Sequence, residues 1–252
     1  MNTIAPQSTS SGQVATHIPQ PESRIAQPEP RIPHLASRIP HRASLALAIV
    51  LALCNLPMLS GSIWMDGVFY PQAIAAGEWW RVLTHAFVHV SPYHLFIDGI
   101  AVFFLLRELA RQSGRHRALL FGASLAGSLL ASIWFAPAIA ERGLCGLSGI
   151  AHGLMAATCL LGCLDRFRPK VDRHIYLCLL IATASKVLIE CVTGSAFFSA
   201  SHLGNVGTPV VVCHAGGFLG GLMASIALTS ARKTKEGSYS GLADCPPNTC
   251  QK

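Results

Sequence analysis

Several residues with side chains suited to catalysis lie at the beginning of apolar stretches of this chain. Ser148 lies in a Gly-x-Ser-Gly sequence with His152 four residues later, and His214 stands just before a pair of glycines. Earlier in the chain, His94 and Asp98 are four residues apart. A serine hydroxyl becomes an effective nucleophile when a neutral imidazole removes its proton. The residue types therefore indicate covalent catalysis, with Ser148 as nucleophile and His214 as general base.

The Gly-x-Ser-Gly turn, from Gly146 to Gly149, offers a further catalytic element. A helix that begins here leaves backbone N–H groups without helical acceptors, and such groups can stabilise an oxyanion. Simpler roles stay open for both residues of the pair. Ser148 is also a preferred helix N-cap, and His214 could be a hydrogen-bonded residue at a helix interface.

Small residues at helical spacing indicate how the two segments could meet. Gly217 and Gly221 form a GxxxG face after His214, and Gly149 and Gly153 form a similar face after Ser148. Faces of this kind let helix backbones approach closely in membranes. Close approach of the two segments would bring Ser148 towards His214.

The composition predicts a membrane protein. Hydrophobic residues make up 51% of the 252 residues and charged residues only 12%, whereas soluble domains usually contain about 25% charged residues. Each apolar run has about the length that crosses a hydrocarbon core, and lipid requires such a run to be helical. The predicted fold is therefore an all-α polytopic bundle of six transmembrane helices. The runs cover about 44–60, 92–110, 118–138, 146–164, 175–193 and 208–229.

Basic residues predict the orientation of these spans. Sixteen of the 19 Lys and Arg residues lie in the N-terminal tail, the C-terminal tail and two of the links between runs. The positive-inside rule then places both termini in the cytoplasm. We expect a disordered cytoplasmic tail over 1–43, a membrane domain over 44–230 and a cytoplasmic tail over 231–252. Because the basic residues form no single patch, nucleic-acid binding is excluded.

The candidate residues lie near the beginning of runs two, four and six. In this topology, each of these runs begins at the outer membrane face and ends at the cytoplasmic face. Polar residues within spans are functional candidates by default. Ser148, His214 and His94 should therefore lie at one shallow level below the outer membrane face.

Other polar residues leave alternatives open. His85 and His89 have the i, i+4 spacing of a metal pair or could pack within a loop, but no third ligand is evident outside the proposed site. Lys186 and Glu190 could form a buried ion pair on one helix face or could recognise substrate. No metal or cofactor is predicted.

The motifs together resemble the rhomboid family of intramembrane serine proteases. Trp80-Arg81 followed by the His85 to Asp98 segment, the Ser148 turn and the His214 segment match its motifs in order and spacing. The resemblance implies that His94 and the Ser148 backbone N–H bind the oxyanion. It also implies membrane-anchored protein substrates, cleaved near the outer face of a bacterial inner membrane, and a loop at Trp80-Arg81 that half-embeds in the lipid bilayer.

Two residues depart from the family pattern. Asp98 stands where many rhomboids have Asn, and His152 where many have a Tyr that packs on the base. An ionised Asp98 would repel an oxyanion, which motivates an alternative: a non-catalytic rhomboid-like protein that binds or escorts membrane clients. The several histidines motivate a third class, a metal or haem protein.

The stretch 146–154 and the Lys186/Glu190 pair most resemble the rhombosortase branch of the family. That branch is taken to process proteins that carry a C-terminal glycine-rich sorting tail. The resemblance therefore implies the removal of such tails as the specific reaction.

Overall fold

A computed structural model describes residues 41–197 and 204–243. These residues all belong to one unit, Ser37–Lys252. The predicted disordered tail lies almost wholly outside the described residues, so it stays a prediction. The last helix continues to Ala243, beyond the predicted end of the membrane domain at residue 230.

The described residues are mostly helical, as the sequence predicted. They contain no strand, and Phe69 and Leu144 form one isolated antiparallel bridge. Short helical segments occupy Leu56–Ser60, Met65–Gly67, Pro71–Ala75, Arg81–Thr84, His85–Phe87, Leu109–Arg111 and Ile139–Arg142. The six long helices are α1 (His41–Cys54), α2 (Pro92–Glu108), α3 (Gly114–Phe135), α4 (Ser148–Leu164), α5 (Lys170–Thr193) and α6 (Val212–Ala243).

Four helical segments of the described chain are long and apolar enough to cross a membrane. They are Ala43–Ser60, Gly114–Phe135, Lys170–Thr193 and Val212–Ala231. A bend of 97° separates Arg81–Phe87 from Pro92–Arg111, which contains the second predicted run, and these two parts qualify as a membrane span only together. Helix α4 has 17 residues and is a shorter apolar helix. The all-α membrane bundle is confirmed, whereas the count of six spans stays a prediction.

Helix α4 is the central element of the bundle. It packs against α2, α3, α5 and α6, and its residues Leu154, Ala156, Ala157 and Cys159 are fully buried. A helix that is surrounded by other helices has little contact with lipid, so it need not match the thickness of the bilayer along its whole length. Its N-terminal residue, Ser148, is thereby held at a fixed place among the helices.

Glycines bring α6 into backbone contact with α4. A Cβ atom added at Gly217 would overlap the carbonyl oxygen of Gly149, and one added at Gly221 would overlap that of Gly153. The opposite glycine face of α6 lies in the same way against α3, where Gly216 meets Gly127. Helix α6 therefore fits between α3 and α4 only because these positions lack side chains.

Gly217→Ala should destabilise the protein by about 1–3 kcal/mol or more, because overpacking here meets a backbone atom that cannot turn aside. Thermal unfolding in detergent measures this effect. Gly122→Ala on α3 is the matched control, since a Cβ there has nothing within 4 Å, and its unfolding temperature should not fall. Equal behaviour of the two variants would contradict the close approach.

Buried polar residues order the chain between α1 and α2. The Arg81 guanidinium is buried, pairs with Glu78 and donates to the carbonyl oxygens of Met65 and Val68. Asn55, at the end of α1, donates to the Phe87 carbonyl at 2.7 Å and accepts from the His89 backbone N–H at 2.9 Å. These bonds fix the approach to α2, which carries His94 and Asp98.

Candidate active site

Ser148 and His214 are brought together at the N-terminal ends of two adjacent helices. Ser148 is the first residue of α4 and His214 is the third of α6. The Ser148 Oγ atom lies 3.1 Å from His214 Nε2, within hydrogen-bonding distance. The glycine contacts between α4 and α6 set this distance, because both residues stand within one turn of the closest approach of the two backbones.

Glu190 contacts His214, the candidate base. This carboxylate comes from α5, is only 1% exposed, and accepts a hydrogen bond from His214 Nδ1 at 2.8 Å. Its other oxygen accepts from the Lys186 ammonium at 2.7 Å and from the Phe197 backbone N–H at 2.8 Å. Sequence reasoning paired Glu190 with Lys186 but missed the contact with His214.

The Glu190 contact decides which nitrogen of His214 carries the proton. A carboxylate held by three donors acts as an acceptor, so His214 Nδ1 must be the donor in that bond. In the neutral imidazole, Nε2 then has a free lone pair, which can accept from the Ser148 hydroxyl. This is the tautomer that a general base acting on Ser148 requires.

His152 links Ser148 to the same network. Its ring stacks on that of His214, with centroids 4.2 Å apart and planes 17° from parallel. His152 Nδ1 donates to the Ser148 carbonyl oxygen at 2.7 Å, so Nε2 is free to accept from Lys186 at 2.9 Å. Lys186 therefore bridges His152 and Glu190, and one connected network holds both Ser148 and His214.

His94 and Asp98 form a second pair beside the turn that precedes Ser148. Asp98 Oδ2 lies 3.2 Å from His94 Nε2 and 3.6 Å from His89 Nε2. Gly146 has a φ of 108°, which favours glycine, and a Cβ there would lie 2.9 Å from the His94 ring. His94 Nδ1 is buried and has no hydrogen-bond partner among the described residues.

A cavity of about 550 Å³ joins these groups. Its lining includes Ser148, His214, His152, His94, Asp98 and Glu190. Cys213 and Cys145 also line the cavity. Cys213 Sγ lies 3.8 Å from Ser148 Oγ. Burial raises the pKa of the Cys145 thiol. The candidate nucleophile, the candidate base and the candidate oxyanion donors thus share one space large enough for a peptide segment.

The family follows from comparison with known sequences. A family model described as the rhomboid domain matches residues 76–231, which is more than half of the chain. The chain belongs to the rhomboid family. This membership confirms the resemblance read from the motifs and identifies an integral membrane protein, whereas the rhombosortase branch stays a prediction.

Two relatives from Bacillus subtilis (strain 168) are similar to parts of this rhomboid chain. The putative rhomboid protease YdcA is 36% identical over 89 residues, which cover 34% of this chain and 45% of the relative. The rhomboid protease GluP is 29% identical over 159 residues, which cover 62% of this chain and 27% of the relative. The chain therefore spans less than half the length of either relative.

The other histidines considered as metal ligands lie in the loop that leads to α2 of the rhomboid domain. His85 Nδ1 is 3.0 Å from the Arg81 carbonyl oxygen, and His89 Nδ1 is 3.2 Å from that of Phe87. The His85 carbonyl accepts from the Gly146 backbone N–H at 3.0 Å. Both side chains thus bond within the loop, and the backbone of His85 holds the turn before Ser148.

Three possible metal ligands do meet within the rhomboid site. His152, Glu190 and His214 offer ligand atoms that lie within 4.8 Å of one another. The Lys186 ammonium contacts two of the three groups, His152 and Glu190. A cationic side chain thus already contacts the lone pairs that a metal ion would use on these two groups, which favours a hydrogen-bonded network.

Proposed function

We propose that this rhomboid protein is an intramembrane serine endopeptidase that cleaves membrane-anchored proteins near the outer membrane face. One observation carries the proposal: Ser148 Oγ lies 3.1 Å from the nitrogen of His214 that has the free lone pair. This is the arrangement that a serine nucleophile and its general base require for proton transfer. No cofactor is needed for this chemistry.

The groups support both halves of a peptide-bond cleavage. Ser148 Oγ attacks the scissile carbonyl carbon while His214 Nε2 takes its proton. The carbonyl oxygen becomes an oxyanion, which the backbone N–H groups at the start of α4 and the His94 side chain can stabilise. Collapse of this intermediate breaks the C–N bond, and His214 returns the proton to the leaving amine. Water, activated by His214, then releases the acyl group from Ser148.

A fluorophosphonate probe tests the nucleophile directly. We expect the purified wild-type protein to be labelled covalently at Ser148 and to cleave a single-span reporter in proteoliposomes. Ser148→Ala should show neither labelling nor cleavage, although it still inserts and unfolds at the wild-type temperature. Ser132→Ala is the matched control: Ser132 is a buried serine on α3 that donates to the Ser128 carbonyl, and its loss should leave labelling intact.

The same experiment decides between the protease and the non-catalytic alternative. A protein that only binds or escorts clients would capture the reporter without cutting it and would not react at Ser148. That outcome would refute the proposed function.

The substrate class is a finer part of the proposal. The resemblance of 146–154 to the rhombosortase branch favours substrates with a C-terminal glycine-rich sorting tail. A reporter with such a tail should be cleaved, and the same reporter with the glycines changed to leucine should not. Equal cleavage of both reporters would favour general rhomboid activity.

The topology completes the proposal. The resemblance to the rhomboid family supports a bacterial inner-membrane protein, and the distribution of basic residues supports both termini in the cytoplasm. A phosphatase fused after Ala243 should be inactive, because this enzyme needs export to fold. The same phosphatase in the segment after Arg142, which joins α3 to α4, should be active.

A further inference from the structure

We propose that Glu190 is a positioning residue for the base, so that the site works as a Ser148–His214–Glu190 triad built across three helices. The inference rests on the proposed protease function and deepens it. Family motifs point only to the serine and the histidine. The third member comes from the geometry of α5.

The two oxygens of the Glu190 carboxylate accept hydrogen bonds from different partners. Oε1 accepts from Lys186 and from the Phe197 backbone N–H, whereas the partner of Oε2 among the described residues is His214. A purely structural ion pair needs only the contact with Lys186. The second oxygen is used for the catalytic base, at 2.8 Å and with the carboxylate 1% exposed.

Glu190 acts on His214 in two ways. It holds the ring with Nδ1 protonated, so that Nε2 faces Ser148 with a lone pair. It also supplies a negative charge beside the imidazolium that forms when His214 takes the serine proton. A buried imidazolium without a counter-charge is costly, so the carboxylate stabilises the transition state more than the resting state.

Lys186 explains how a buried carboxylate is tolerated before the reaction begins. Its ammonium neutralises Glu190 at rest, and its side chain is 30% exposed. It also donates to His152, which binds the carbonyl oxygen of Ser148. The three helices α4, α5 and α6 are thus locked together at the position of the nucleophile.

A pair of variants separates positioning from stability. Glu190→Gln keeps the shape of the side chain but removes its charge, and it leaves the half-buried Lys186 without its counter-ion. Glu190→Gln combined with Lys186→Met removes both charges, so it restores electrostatic balance without restoring the partner of His214. The second-order rate of fluorophosphonate labelling at Ser148 and the unfolding temperature are measured for both.

We expect Glu190→Gln to lower the labelling rate by up to about 10⁴-fold, the loss that follows when the carboxylate of a serine-protease triad is neutralised. The double variant should recover unfolding temperature yet stay as slow as the single variant. Asp172→Asn, an acid-to-amide change at the other end of the same helix, should label at the wild-type rate.

Two results would overturn the inference while leaving the protease intact: a wild-type labelling rate in Glu190→Gln, or a return to that rate in the double variant. The second result would mean that only the unpaired lysine slowed the enzyme. Absence of labelling in the wild-type protein would instead refute the proposed function itself.

Discussion

His214→Ala should lower the rate of substrate cleavage by about 10⁴–10⁶-fold, close to the loss caused by Ser148→Ala. Without the imidazole, nothing at 3.1 Å accepts the proton of the Ser148 hydroxyl, and a neutral alcohol is a poor nucleophile. The leaving amine also loses its proton donor. The measurement is cleavage of a single-span reporter in proteoliposomes, with product resolved by gel and mass spectrometry.

The double variant Ser148→Ala with His214→Ala should be no slower than either single variant. Residues that act as one unit in catalysis are strongly non-additive, because removal of either one disables the same step. Losses that multiply would show that His214 acts separately from Ser148. His174→Ala is the matched control, since this exposed histidine on α5 lies outside the site cavity, and it should cleave normally.

The sequence predicted the helical membrane class because composition alone determines it: apolar runs of this length can satisfy their backbones only as helices. It also indicated that Ser148 and His214 belong together. That inference depended on glycines, whose position on one helix face is a local property of the sequence. The contact of Gly217 with Gly149 shows that such a face lets two helix backbones approach closely. This approach brings the side chains of Ser148 and His214 together.

Glu190 could not be recognised in the same way. The i, i+4 spacing from Lys186 predicts a pair on one helix face, but it does not say which neighbouring helix that face meets. The contact with His214 depends on how α5 packs against α6. A buried carboxylate in an apolar run was the available signal, and it indicated a functional role without naming the partner.

The structure of the segment between α1 and α2 also could not be predicted from local sequence patterns. Its short helices are held by Arg81 and Asn55 through bonds to backbone carbonyls far along the chain. The 97° bend before Pro92 follows from this loop. Hydropathy detects the apolar run but does not detect such a bend. The sequence therefore predicts the class of fold better than it predicts the number of spans.

Asp98 raised the strongest objection to catalysis, since an anion beside an oxyanion would oppose the reaction. In the structure, its Oδ2 atom lies against two histidines, 3.2 Å from His94 Nε2 and 3.6 Å from His89 Nε2. This oxygen makes no hydrogen bond within the described part of the chain, so it acts on the two rings through its charge. That charge can orient the His94 ring over Gly146, and His94 Nδ1 has no hydrogen-bond partner among the described residues.

This arrangement predicts that Asp98 acts through His94. His94→Ala should lower cleavage by about 10²–10³-fold, as expected for the loss of one oxyanion donor, and Asp98→Asn by about 10–10²-fold. In the His94→Ala background, Asp98→Asn should cost nothing further, because the group that it orients is already absent. The cleavage rates of the four proteins form a double-mutant cycle.

Independent losses in that cycle would contradict a role through His94 and would point to the contact of Asp98 with His89. Unfolding temperatures separate this structural route from the catalytic one, because loss of the His89 contact would loosen the loop and lower the temperature. Asp98→Asn could instead cleave at the normal rate while His94→Ala is strongly impaired. That result would show that the His94 ring is oriented by Gly146 and its neighbours without Asp98. The expected pattern instead makes Asp98 a support for the oxyanion site and removes its charge as an argument against catalysis.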